Sequence, residues 1–310
     1  MGKKKKPVNL EDRSIQLTTK NLQTFPLSLG NLSKIRTLEL RTGDLQTLPN
    51  TFTDLINLAK LTIQRSYTQP GDNFSRLTSL PDSICDLKEL TELRIEGSRI
   101  STLPSRFGKL SKLEVLRLNH NMLAILPKSF GNLAHLRELE LSSTKLKSLP
   151  TWFGNLTTLE FLDLSYNRLE TLPATFGHLQ NLKILNLHRS TIQSLPESFG
   201  NLLSLEELDL ANYSLGQCIK TLPDSFGKLT NLKKLDLQSP SLPTIPGSFE
   251  QLSNLKTLKL DEHQVSAFPP EIARRLIDNG CYISYLERST DRGGDTEYTG
   301  RKFFDHWSFI

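Results

Sequence analysis

The chain has little of what most functional classes require. Its 310 residues contain no run of about 18 apolar side chains, the length a membrane-spanning helix needs. The N-terminal stretch MGKKKKPVNLEDRS is basic but has no apolar core, so it does not read as a secretory signal, and a cytoplasmic location is expected. Cysteine is scarce: Cys85, Cys218 and Cys281 are odd in number, far apart and without zinc-site spacing, which points to reduced thiols. The six histidines (His120, His135, His178, His188, His263 and His306) are scattered, with no pair at ligand spacing on one helix. No G-x-x-x-x-G-K-S/T phosphate loop, G-x-S-x-G elbow or H-E-x-x-H pair occurs. The expectation is a protein without catalytic residues, metal or cofactor.

What the chain has in abundance is repetition. Residues 149–171 read LPTWFGNLTTLEFLDLSYNRLET, and the 23 that follow read LPATFGHLQNLKILNLHRSTIQS. Prolines 26, 49, 81, 104, 127, 150, 173, 196, 223, 246 and 269 mark a period of 23, broken by steps of 32 and 27. The frame is L-P-x-x-F-x-x-L-x-x-L-x-x-L-x-L-x-x-(N/S/T)-x-L. Two leucines at spacing 2, such as Leu162 and Leu164, point to one side of a short strand. One such strand cannot bury them alone, whereas stacked copies build a parallel sheet over a continuous core. Leu146, Leu149, Phe153, Leu156 and Leu159 are the expected outer core positions of one copy. Proline suits the start of a short helical or 3-10 segment. The glycine that often follows Phe (Gly108, Gly131, Gly154, Gly177, Gly200, Gly227) suggests a left-handed turn, although Thr53, Cys85 and Glu250 share its slot.

The frame resembles that of intracellular leucine-rich-repeat proteins of the 23-residue LPxxF/I type, which include Ras-suppressor-like, Scribble-like, plant intracellular and bacterial members. The resemblance covers residues 14–283. It implies an α/β solenoid, a curved horseshoe with a parallel β-sheet on the concave face and short helical or 3-10 segments on the convex face. It also implies a role in small-GTPase or kinase signalling, and a buried asparagine ladder at the N/S/T slot. Here Asn121 and Asn167 hold that slot, against Gly43, Ser66, Ser98, Thr144, Ser190, Tyr213, Pro240 and His263 elsewhere. The ladder should therefore break towards the C-terminal third.

The expected organisation is a basic tail over 1–13, a repeat domain over 14–283 with about 11 repeats and a C-terminal cap, and a flexible or cap-associated tail over 284–310. PEIARRLIDNG reads as a capping helix ended by Gly280, with Arg275 where a leucine belongs. Two stretched copies, within 67–77 and 213–219, should project as loops from one edge. Lys3, Lys4, Lys5 and Lys6 supply most of the net charge of +5. They fit a solvated tail, a membrane-surface contact or a nuclear-import patch. Ser308-Phe309-Ile310 fits either a piece of the cap or a C-terminal ligand captured by strand addition.

The side chains between the core leucines should face the concave side. The central one per copy runs Gln16, Glu39, Thr62, Arg94, Arg117, Glu140, Asp163, Asn186, Asp209, Asp236, Lys259. A basic pair precedes an acidic stretch, with Glu138, Glu207, His120, Phe161, Tyr166, Ile184 and His188 beside it. Two readings fit: a solvated sheet face whose charge prevents aggregation, or a binding groove with aromatic anchors inside a polar rim. On the second, Arg94, Arg117, His120, Glu138, Glu140, Phe161, Asp163, Tyr166, His188, Glu207 and Asp209 would receive a protein or peptide with a basic, partly apolar surface. The carboxylates would repel nucleic acid from this face. The resulting expectation is an intracellular scaffold or adaptor. A membrane adaptor held by the N-terminal lysines and the recognition arm of a ligase or phosphatase complex are the alternatives.

Overall fold

A computed structural model describes residues 14–19, 32–42, 46–48, 52, 54–65, 75–213, 219–239, 242–288 and 298–302. The chain divides into two compact units, residues 1–144 and 145–310. The first carries parallel strands β1 (Ser14–Thr19), β2 (Thr37–Thr42), β3 (Lys60–Arg65), β4 (Glu92–Ile95), β5 (Val115–Arg117) and β6 (Glu138–Glu140), each paired to the next. The second carries β7 (Phe161–Asp163), β8 (Ile184–Asn186), β9 (Glu207–Asp209), β10 (Lys234–Asp236), β11 (Thr257–Asp261) and β12 (Tyr282–Arg288), also parallel. Strand β13 (Tyr298–Lys302) then closes against β12 in the antiparallel sense.

The leucine frame explains the core. Leu162 and Leu164 are fully buried, as are Leu146, Phe153, Leu156 and Leu159, with Leu149 nearly so. Each of Pro127, Pro150, Pro173, Pro196, Pro223 and Pro246 stands just before its outer segment in extended conformation, as at Pro173 with ψ 151. Its carbonyl then accepts the N–H of the Phe three residues on, at 2.9 Å for Phe176. The outer segments described in the repeats are 3-10 turns of three to five residues, from Leu32–Lys34 to Gly247–Gln251. The buried phenylalanines stack face to face between neighbouring coils, with ring centroids 5.8 Å apart for Phe107–Phe130 and 6.2 Å for Phe153–Phe176. That exceeds the spacing of about 4.8 Å between strands, so each unit curves with its sheet on the inner side.

The glycine after Phe is not a left-handed turn. Positive φ is confined, among the described residues, to Gly97, His120, Ser143, Tyr166, Arg189 and Gly280. The reason for glycine is close approach: a Cβ on Gly177 would lie 2.1 Å from the carbonyl oxygen of Ser198 in the next coil, and one on Gly154 2.2 Å from that of Thr175. The facing residue is correspondingly small and bonded to the coil before it, with Ser198 Oγ donating to Ala174 O at 2.6 Å and Thr175 Oγ1 to Thr151 O at 2.6 Å. Glu250 is tolerated in the slot because its neighbour is a helix, whose Arg275 lies 3.3 Å from the carboxylate.

The left-handed position instead recurs just before the N/S/T slot, at Gly97, His120 and Ser143 in the first unit and at Tyr166 and Arg189 in the second. It turns the chain so that the slot residue enters the core. Asn121 accepts from Ile100 N at 3.1 Å and donates to Ile95 O at 2.7 Å, while Asn167 accepts from Leu146 N at 3.2 Å. Tyr213 does not take the role; its predecessor Asn212 is buried and donates to Ser190 O at 2.6 Å. Where His263 falls in the slot, helix α1 (Glu262–Ala267) begins instead, capped reciprocally by buried Asp261 and Gln264. A second series of asparagines lies on the other edge: Asn181, Asn231 and Asn254 each donate to a carbonyl of the preceding coil at 2.7 to 2.8 Å.

Helix α2 (Pro270–Asp278) covers the last coil with Ile272, Ala273 and Leu276, and Gly280 ends it at φ +81. Leu276 occupies the core, which leaves Arg275 outside. Cys85 and Cys281 are buried free thiols, both pushed up to about 11 by burial.

Gly177→Ala should lower stability by about 1–3 kcal/mol because the new methyl meets backbone. Gly247→Ala, with nothing near its Cβ, should be close to neutral. Chemical denaturation of the two variants checks the contrast.

Candidate binding surface

In the first unit the strand register places Glu39, Thr62, Arg94, Arg117 and Glu140 in one row across the inner face. The cations in that row are answered inside the unit. Arg94 pairs with Glu92, whose carboxylate also lies 2.9 Å from Lys60. Burial opposes the charge on Glu92, yet the hydrogen bonds from Lys60 and Arg94 hold its carboxyl below the usual range. Arg117 bridges two carboxylates, with Nη2 3.3 Å from Glu138 and Nε 3.0 Å from Glu140. Asn119 donates to the other oxygen of Glu140. Two separate clusters result, Lys60–Glu92–Arg94 and Glu138–Arg117–Glu140, while His120 stands exposed on its left-handed turn.

The second unit is different. Asp163, Asn186, Asp209, Asp236 and Lys259 form its central row, and Phe161, Ile184, Glu207, Lys234 and Thr257 the row beside it. All of these but Asp163 line a groove of about 280 Å³. Phe161 and Ile184 are half-buried at one end of it. The acidic row has a structural duty that its charge does not reveal. Asp163 accepts from Ser165 N, Asn186 from His188 N, Asp209 from Ala211 N and Asp236 from Gln238 N, at 2.8 to 3.2 Å. Each such bond fixes the turn that leaves its strand. Glu207 is matched by Lys234 at 2.7 Å and Asp236 by Lys259 at 3.2 Å. Asp163 enters no ion pair with the other described residues, and Asp209 faces only His188 Nδ1, at 3.4 Å. Burial, and next the neighbouring charge of Asp209, pushes the Asp236 carboxyl up.

Along the edge where the chain leaves these strands stands an aromatic row. The His188 ring sits between Tyr166 and Tyr213, with centroids 5.5 and 5.7 Å away. The Arg189 guanidinium carbon lies 5.6 Å from the centre of each tyrosine ring. Tyr166 and His188 were expected from sequence to face a partner. Arg189 and Tyr213 were not: Arg189 is neither an inner-face nor a ladder position, and Tyr213 was placed in the ladder slot. The detectable signal was the spacing of 23 shared by Gly97, His120, Ser143, Tyr166 and Arg189, but their side chains have nothing in common.

Among the described residues no three His, Cys, Asp or Glu side chains gather to hold a metal ion, and no helix is long and apolar enough to cross a membrane. Lys3 to Lys6, the bulk of the two insertions (67–74 and 214–218) and Ser308-Phe309-Ile310 lie outside the described residues. Ser75 and Leu77, at the end of the first insertion, are buried, with Ser75 N donating to Gly97 O at 2.7 Å.

Comparison with known proteins agrees with this architecture. Residues 88–146 match the family model described as leucine rich repeat, and residues 124–218 that described as leucine-rich repeat region. The chain therefore contains leucine-rich repeats. A leucine-rich-repeat protein of Leptospira interrogans is similar over 84% of this chain and 80% of its own, at 25% identity and a TM-score of 0.59. The leucine-rich repeat domain of the type III effector XopL is similar over 73% of this chain and 78% of its own, at 28% identity and a TM-score of 0.61. An internalin of Listeria monocytogenes shares the fold over 88% of this chain and 80% of its own, at 17% identity and a TM-score of 0.58. No curated protein matches the sequence.

The elevated carboxyl of Asp236 yields a signed prediction. An acid whose native pKa is raised weakens the fold while ionised, and the penalty fades as pH falls through that pKa. Asp236→Asn retains an acceptor for Gln238 N and should raise the thermal midpoint at neutral pH. The gain should vanish at pH values below the ordinary carboxylate range, as thermal melts across pH would show.

Proposed function

We propose that the chain is a non-catalytic protein-interaction module, an intracellular scaffold or adaptor. On this reading it seats a basic, partly apolar segment of a partner protein on the inner face of its second unit. The observation that carries the proposal is the groove over β7 to β11. An aromatic and an aliphatic side chain, Phe161 and Ile184, share it with Glu207, Asp209 and Asp236. A half-exposed phenylalanine beside an isoleucine on an open sheet is poor for solubility and good as an anchor. The acidic groups that have no Lys or Arg partner among the described residues, Asp163 and Asp209, would attract a cationic segment and speed its docking. They would repel the phosphates of nucleic acid. Tyr166 and His188 extend the contact at the rim.

The charged first-unit members of the expected site are already paired inside that unit, Arg94 with Glu92 and Arg117 with Glu138 and Glu140. Exposed pairs of this kind add little field at a distance. Binding should therefore depend on the second unit. The test is affinity capture from native lysate with mass spectrometry, comparing wild type with a Phe161→Ala, Asp163→Asn, Asp209→Asn variant. Asparagine keeps the oxygens that hold Ser165 N and Ala211 N. Partners retained by the wild type should be depleted at least about tenfold, the scale of losing one buried anchor and its charges. Retention by the variant at wild-type levels would overturn the proposal.

A further inference from the structure

The edge of the second unit holds a larger and chemically opposite pocket. It measures about 750 Å³ and lies beside the exits of β7, β8 and β9. Tyr166 forms one wall, and Lys147, Arg168 and Arg189 supply three cations against the single carboxylate of Glu170. None of these four charged groups enters an ion pair with another described residue. The neutral polar lining is largely committed elsewhere. Asn167 Nδ2 donates to Leu164 O at 3.0 Å, Asn212 Nδ2 to Ser190 O at 2.6 Å and Thr191 Oγ1 to Leu169 O at 2.9 Å, while Gln193 Oε1 accepts from Lys220. The groups left to meet a ligand are therefore the three cations, with Glu170 and Tyr166 beside them.

One of these cations, Arg189, is placed in advance. Tyr166 and Arg189 both sit at left-handed backbone positions, φ 55 and 51, within a ladder of backbone bonds to the neighbouring coil: Tyr166 N to His188 O at 2.8 Å and Arg189 N to Ala211 O at 2.7 Å. Such positions disfavour bulky side chains and persist where the surroundings hold them. The Arg189 guanidinium is further held between the rings of Tyr166 and Tyr213. A preorganised guanidinium loses less freedom on meeting an anion.

We propose that this pocket is a second binding site and that it takes a phosphate monoester carried on a peptide. A dianion with three acceptor oxygens matches a pocket lined by three cations, where a lone carboxylate would engage one fork and leave the rest unmet. The volume is well beyond that of a bare phosphate, so it accommodates flanking residues of a chain. The pocket is opposite in charge to the acidic groove and shares none of its lining, although Tyr166 also stands at that groove's rim; it has its own test and does not depend on the function proposed for the groove.

The experiment uses the full chain and two libraries of fluorescent peptides with degenerate flanks, identical except that one bears a central phosphoserine or phosphothreonine. Polarisation should show binding of the phosphorylated library only. Arg189→Gln and Arg168→Gln should each weaken it at least about tenfold, as loss of a charge-assisted hydrogen bond does. Lys88→Gln, in the other unit, should leave it unchanged, and thermal midpoints should confirm that the variants are folded. Inorganic phosphate should compete only at far higher concentration. Several results would overturn the proposal: equal binding of the unphosphorylated library, no binding of either, no effect of the arginine variants, or inorganic phosphate competing on a par with the peptide. Tighter retention by phosphatidylserine vesicles or by a single-stranded oligonucleotide than by the phosphopeptides would assign the cations to a membrane or a nucleic acid instead.

Discussion

The structure depends on one constraint: no coil can hide its own leucines. A strand of three residues such as Phe161–Asp163 offers few ladder bonds, and its aliphatic neighbours Leu162 and Leu164 become dry only when other coils flank them. Burial of a leucine contributes about 1.5–3 kcal/mol, so each interface between coils carries most of what keeps its members folded. The period of 23 follows, because every coil must present the same rungs at the same height. So do the joints. Gly177 and Ser198 are small because two coils touch there at backbone distance, and the phenylalanines lie parallel because each fills the space under the next.

With the core positions committed, two kinds of side chain recur on the surface of every central coil. One is the alternate residue of each strand, and the other is the left-handed residue that follows it. The two units use them differently. In the first, Arg117 spans Glu138 and Glu140 and the inner face is balanced within itself. In the second, an aromatic side chain lies in a groove with Glu207, Asp209 and Asp236, while a tyrosine and cations without an ion pair among the described residues line the adjoining edge. A solenoid allows this division because changing a surface residue of one coil leaves the stacking of the others intact.

The core was legible in the sequence because burial imposes a spacing, and spacing survives in a single chain. Leu146, Leu149, Phe153 and the Leu162–Leu164 pair fall inside, while Phe161 and Asp163 lie half-buried on the open face. Helix α2 was legible too, through proline at its start and Gly280 past its end. The glycine after Phe was visible as a pattern but misread, since its cause is a carbonyl 21 residues away. The left-handed turn escaped notice for the opposite reason: Gly, His, Ser, Tyr and Arg share a conformation there without sharing chemistry. Charge balance was equally hidden. Glu138 and Glu140 read as an exposed acidic patch until Arg117, one strand away, is seen to reach both. Asp261 and Gln264 likewise gave no sign that a capping box would stand in for the asparagine of the repeat.

The account is tested most directly by urea unfolding of the full chain with Leu162→Ala set beside Glu160→Ala. Emptying the buried rung should cost roughly 2–5 kcal/mol, whereas removing Glu160, which pairs with Lys183 at the surface, should cost less than about 1 kcal/mol. Equal losses in the two variants, or a Leu162→Ala protein as stable as wild type, would contradict the claim that shared leucine rungs hold the coils together.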